Sequence, residues 1–291
     1  MKNILFLNSL GEYAPITYSY AVHVAYHLGA RLTSLHVYEV PSPVLWDNTL
    51  RVERQEMSYL QEFAQGQEVM ARQQLQDFVR EYLPVQRKKL AQELKVEGGD
   101  VLTSALKTIR TLHPELIVMG LHQHNRFSEL FGPDPADWVQ RLECPILLVP
   151  HQAHYTGLIN LLYLTDVPAQ ADVKAFQYLN QWVKVFHPEV EVLCLEATEI
   201  TSPQLDPYKI AMQQALGHRR PLIVWTDAGD GIWNYEDRQG EAVLKYAEER
   251  EADLIVIKAG HQGFWGHLLA PDTGVQVLHR TKIPVLIGAW G

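Results

Sequence analysis

Two cysteines in 291 residues, Cys144 and Cys194, are too few for a disulfide framework. They stand far apart, each among apolar residues, which predicts buried, reduced thiols and a cytoplasmic protein. No stretch approaches the roughly 18 consecutive apolar residues of a membrane-spanning helix. The opening "MKNILFLNSLGEY" is too short in its apolar run for a secretory leader. Positive charge is also scarce: 25 Lys and Arg face 34 Asp and Glu, giving a net charge of −9. Sequence-independent binding to nucleic acid needs Lys and Arg to displace counterions, and so does binding to an anionic bilayer. Both partners are therefore excluded as expectations.

Catalytic and metal-binding patterns are missing as well. The 13 histidines include His122, His124, His151 and His154, and no CxxC motif occurs. These histidines read as solvated loop residues, with no metal expected. Ser34 and His36 share a strand without an acid placed to complete a triad. His27-Leu-Gly-Ala lies at a helix end and lacks the second histidine of a nucleotidyl-transfer motif. The acidic stretch 226–237 fits no calcium loop. Trp46 reads as a loop anchor, and Trp233 and Tyr235 read either as a platform for stacking on a base or as cover for an apolar edge. No pair of groups stands out as acid and base, so the expectation is a protein that is not an enzyme.

What the chain does contain is a repeat. "LIVM" at 116–119 returns as "LIVI" at 254–257, His122-Gln123 as His261-Gln262, and Pro145 as Pro284. That spacing is close to half the chain, so a whole domain is doubled rather than a short solenoid unit. The expected domains are 1–150 and 157–291, joined by the polar "PHQAHYTG" of 150–157.

Period and punctuation give the elements. Runs at 3–7, 115–120, 145–149, 158–164, 221–227, 253–257 and 284–288 read as buried strands; "RLTSLHVYEV" (31–40), "KKLAQELKVE" (88–97) and "EVEVLCLEA" (189–197) complete the set. Tyr18, Ala21, Val22, Ala25 and Leu28 share a helical face ending at Gly29. Residues 51–83 carry a second helical stripe, with Gly66 as a bend or break. Asp100 should cap a third helix. Val173, Phe176, Leu179, Trp182 and Phe186 mark the inner face of a helix in the second half. Segment 203–217 is shorter and less regular than its counterpart at 51–83. Further helices are expected near Pro135–Leu142, over 240–250 and from about residue 273. Continuous apolar strands alternating with helices predict an α/β protein with parallel sheets covered on both faces.

These residues resemble the universal stress protein family in each half. The resemblance rests on "ELIVMG" and "DLIVI" before a variable loop, "ECPILLVP" and "KIPVLIG" at the close, and "GARLTSLHV" in strand two. It rests too on the strand-one endings "LNS" and "LTD". "HQHNRFSELFGPDPADWVQRLECP" is similar to the first domain of the E-type tandem members. The resemblance implies two five-stranded parallel sheets, each in the order 3-2-1-4-5. It also implies that the closing strands, 146–149 and 284–288, pair antiparallel between the halves as an internal pseudo-dimer. A further homodimer fits the same picture.

Many family members hold ATP between strands one and four. An Asp after strand one meets the adenosine, and a loop of Gly, two residues, Gly, nine residues and Gly-Ser or Gly-Thr wraps the phosphates. Glycine lets backbone N–H groups approach phosphate, and a helix N-terminus favours the anion. The first half departs from this. Asn8 takes the place of the Asp, Gln123 follows Gly120 where a second Gly belongs, and Pro133-Asp134 replace Gly-Ser. No nucleotide is expected there. The second half keeps Asp166, Gly260 and Gly263, with Thr273-Gly274 present in reversed order behind Pro271-Asp272. The resemblance thus implies an adenine nucleotide, ATP or a relative, on Asp166, Gly260, Gly263, Thr273 and Gly274. The rival reading is a protein-interaction module of unknown partner with both crevices closed. Gln123, Phe127 and Phe131 would fill one crevice, and Phe264, Trp265 and Leu268 the other.

Overall fold

The computed structural model describes residues 2–38, 40, 54–121, 142, 144–165, 170–194, 210–217, 222–225, 239–258, 280–288 and 290. The elements in the first half are β1 (Asn3–Leu7), α1 (Ala14–His27), β2 (Arg31–Tyr38), α2 (Arg54–Tyr82), β3 (Gln92–Gly98), α3 (Val101–Leu112), β4 (Leu116–Leu121) and β5 (Ile146–Pro150). The second half has β6 (Asn160–Thr165), α4 (Gln170–Phe186), β7 (Glu189–Cys194), β8 (Leu222–Trp225), α5 (Gln239–Glu249), β9 (Leu254–Lys258) and β10 (Val285–Gly288). A short helical segment at 210–215 precedes β8.

The strands form one ten-stranded sheet in the order β3-β2-β1-β4-β5-β10-β9-β6-β7-β8. Each half contributes the order 3-2-1-4-5, and neighbours within a half run parallel. The closing strands meet antiparallel, with Val285 opposite Leu148 and Ile287 opposite Ile146. This pairing removes two edges that would otherwise offer unpaired backbone groups.

Period-two alternation sorts the strand residues onto two faces. Ile4, Phe6, Val118, Tyr163 and Val256 join one core with Tyr18, Ala21 and Ala25 of α1, Phe78 of α2, and Phe176, Leu179 and Trp182 of α4. Leu5, Leu7, Met119, Leu164 and Ile257 join the other with Ala105 and Ile109 of α3 and Val243 and Ala247 of α5. Both cysteines are buried, and neither forms a disulfide. The Cys144 thiol donates to the Pro114 carbonyl at 3.1 Å, and burial raises its pKa to about 12, so it is a packing residue.

The punctuation residues act as their chemistry requires. Gly29 has φ +63°, and its N–H donates to Tyr26 O as α1 ends. Asp100 Oδ2 accepts from the Thr103 N–H at 2.8 Å, capping α3.

Several expected boundaries move. α2 runs unbroken through Gly66, so that glycine does not interrupt it. β3 starts at Gln92 rather than Lys88, because Val85–Arg87 forms a 3-10 turn first. β2 spans Arg31–Tyr38, with Val40 already outside it, and of the strand expected at 189–197 only β7, Glu189–Cys194, lies within the described residues. The junction 151–158 is packed rather than free: Ala153 is buried and Tyr155 lies against α1. The helices expected near 135–142 and from about 273 fall outside the described residues, except for Leu142 and Arg280, both helical.

Candidate functional site

Strand order reverses between β1 and β4 and between β6 and β9, and in open α/β sheets the carboxyl ends of the strands at such a point form the ligand crevice. In the first half it lies at Asn8 and Gly120, in the second at Thr165 and Lys258. Pairing of Ile4 with Leu116 and of Leu161 with Leu254 fixes each pair of strands in the same register.

That register corrects one equivalence. Leu116 and Leu254 are matching residues of the repeat, so Ile4 matches Leu161 and Asn8 matches Thr165. Counting on, the counterpart of Asp166 is Ser9 and not Asn8. The first half still lacks the carboxylate, but the residue standing in its place is a serine.

Asn8 is built into the fold. It is 1 % exposed. Its N–H donates to Leu35 O at 2.8 Å, extending the β1–β2 ladder, and its Oδ1 accepts from Leu10 N–H at 2.9 Å. The Asn8 carbonyl lies 3.0 Å from His36 Nδ1. A carbonyl only accepts, so that imidazole nitrogen carries the proton. The Asn8 Nδ2 donor is buried and has no hydrogen-bond partner. Such a group costs about 1–3 kcal/mol unless a water or ligand acceptor meets it. Two residues on, Leu10 is held at φ +54°, a left-handed conformation that leucine rarely adopts. Strain and an orphaned donor thus coincide at the mouth of the first crevice. Sequence reasoning missed both, since neither a side-chain amide's missing partner nor a leucine's backbone angle leaves a motif.

In the second half, Thr165 ends β6 at 1 % exposure and Lys258 ends β9. Asp166, Gly260, Gly263, Thr273 and Gly274 all lie outside the described residues, as do Gln123, Phe127, Phe131, Phe264, Trp265 and Leu268. Of the first-half residues singled out from sequence, Asn8 and Gly120 are described.

At the opposite, amino ends of β6–β8 sits a hollow of about 430 Å³, bordered by Asn160, Glu189, Glu191, Leu222 and Arg250. The Glu191 carboxylate accepts from Tyr246 O–H and lies 3.5 Å from the Arg250 side chain. Burial, then that carboxylate, lifts the Tyr246 hydroxyl to about 12. Beside it, Asp253 Oδ2 accepts from the N–H groups of Ile159 and Asn160 at 2.7 and 2.9 Å, stitching the entry to β6. These are hydrogen-bonded structural groups at the wrong end of the strands for a ligand of an open α/β sheet. Among the described residues no group of three potential metal ligands occurs, and no helix is long and apolar enough to cross a membrane.

With the geometry in place, known proteins can be compared. The model of the universal stress protein family matches residues 1–150 and 235–287. No curated protein matches the sequence. The solved structure of a universal stress protein from Archaeoglobus fulgidus is similar at TM-score 0.57 and 14 % identity, over 99 % of this chain and 96 % of that one. A putative universal stress protein from Pseudomonas aeruginosa is similar at TM-score 0.53 and 13 % identity, over 99 % and 93 %. At such identities the likeness speaks to fold alone. The unmatched residues 151–234 include β6, α4, β7 and β8, which nevertheless repeat the topology of the first half.

Proposed function

The chain belongs to the universal stress protein family, and from that premise we propose that it is a cytoplasmic, non-catalytic ligand-binding protein of the stress response. Its second half holds an adenine nucleotide, ATP or a relative, in the crevice after β6 and β9. The observation that carries this reading is the unequal survival of the glycine loop. Gly260 and Gly263 keep the spacing that lets backbone N–H groups reach phosphate, and Asp166 follows the last buried residue of β6. In the first half the same register sets Gly120 opposite Lys258, and Ser9 stands in the acid's place.

Among the described residues nothing at the crevice supplies a paired acid and base, and binding without efficient turnover is the proposed activity. Occupancy would act by stabilising the folded chain and by changing the surface at the crevice mouth.

The test is direct. Protein purified without added nucleotide is denatured and its supernatant examined for adenine nucleotides. Thermal unfolding is then followed with ATP and magnesium, ADP, AMP and NAD. Ligand at a hundred times its dissociation constant adds about 2.7 kcal/mol of stability. Asp166→Ala and Gly263→Val should each abolish the shift while leaving the apo midpoint nearly unchanged. No shift with any nucleotide would overturn the reading in favour of an interaction module. Multiple turnover lost on Asp166→Ala would overturn its non-catalytic part.

A further inference from the structure

Tyr20, His23 and His27 are spaced three and four apart on α1 and so share one side of the helix. What they face lies beyond the first half. The Tyr20 hydroxyl donates to the His154 carbonyl at 2.8 Å, and its ring meets Tyr155 edge-on at 5.3 Å. His23 stacks on the same Tyr155 at 4.2 Å, with 20° between planes. His27 packs against Phe186, the last residue of α4, at 5.2 Å. One side of α1 is thereby a seam between the halves, separate from the β5–β10 pairing.

A cation from the first half closes that seam. Arg87, on the 3-10 turn before β3, lies 4.0 Å over the Tyr26 ring. Its Nη2 is 3.3 Å from His27 Nε2. A guanidinium only donates, so His27 Nε2 must accept, and the imidazole is neutral with its proton on Nδ1. His23 Nδ1 faces the Ser19 carbonyl at 2.8 Å and therefore holds the proton of that ring.

We propose that this seam is an acid-sensitive latch between the two halves, with His27 as its principal protonation site. A proton on Nε2 removes the acceptor that Arg87 uses and sets two cations against each other. The charged groups acting on His27 are Arg87 from the turn and His23 from its own helix; Phe186 from α4 is apolar. Asp253 acts on Tyr20 and Tyr155, and is not among the groups acting on either histidine. Desolvation, then Arg87, lowers the pKa of His27; desolvation also outweighs the Ser19 bond at His23. The closed seam therefore binds fewer protons than the open one just below the ordinary histidine value of 6.5. It is fully stable above that pH and loosens as pH falls through it. His27 keeps one side in solvent, so a proton reaches it before the seam opens.

Hydrogen exchange of the full chain, corrected for intrinsic rates, tests the latch between about pH 7.5 and pH 5.5. For one proton taken up on opening, exposure in 14–27 and 151–158 rises by up to about tenfold per pH unit. Protection in β1, β4 and β9 should hold. His27→Gln keeps an acceptor for Arg87 but cannot titrate, and should lower the slope; adding His23→Gln should flatten it. Protection independent of pH, or an unchanged slope in the double variant, overturns the proposal. If a variant is already open at neutral pH, histidine-selective NMR of the wild-type chain decides. A His27 inflection below 6.5 sustains the latch, and one at or above 6.5 overturns it.

Discussion

At the amino end of α3, Asp100 has an extended backbone and turns its carboxylate onto the Thr103 N–H. That bond, first among the causes, lowers the Asp100 pKa. Removing the cap with Asp100→Ala should cost about 1 kcal/mol in a urea titration at neutral pH. Tyr246 behaves in the opposite sense. Its hydroxyl stays protonated to about 12, while the unfolded chain releases that proton near 10.0. Between those values the unfolded chain binds fewer protons, so stability falls as pH rises through the window. Tyr246→Phe should shrink that alkaline loss in denaturation midpoints measured from neutral pH upward. Residues that punctuate the chain were legible from sequence because their chemistry is local: Asp100 as a cap, Gly29 as a helix end. The strain at Leu10 and the unmet donor of Asn8 were not, because each arises from how neighbouring elements close around it.

α2 shows how an element overrides a single weak residue. Its buried residues Ala71, Leu75 and Phe78 anchor the carboxyl-terminal stretch against the sheet, and one glycine costs too little to break the helix. A Cβ at Gly66 would meet nothing within 4 Å, and the residue does not need a left-handed backbone. Gly66→Ala should therefore stabilise the chain by about 0.5–1 kcal/mol in chemical denaturation. Strand and helix identity were readable throughout the described residues, since apolar runs and 3.6-residue stripes survive in both halves. Boundaries were less so. β3 begins late because Val85–Arg87 winds a 3-10 turn whose carbonyls accept from Lys88 and Leu90, a local option that hydrophobic pattern does not encode. Neither did the pattern reveal that Tyr155 of the junction would be sandwiched by Tyr20 and His23.

Across the molecule, one sheet serves both halves. Were residues 1–157 and 158–291 produced as separate chains, β5 and β10 would each become an open apolar edge. Light scattering should show such chains self-associating, with the two mixed together less prone to it than either alone. Duplication was legible from the sequence because β4, β9 and the two closing strands are nearly the same words. The equivalence of Ser9 and Asp166 needed the strand pairing, since an asparagine beside a serine offers two plausible partners for one aspartate.

The antiparallel β5–β10 junction carries a further consequence. Strands of the first half point one way along the sheet and strands of the second half point the other. The two carboxyl-end mouths therefore face opposite poles of a single sheet. A body that covers one leaves the other bare, so one chain could present an occupied mouth and a vacant one to different neighbours at once.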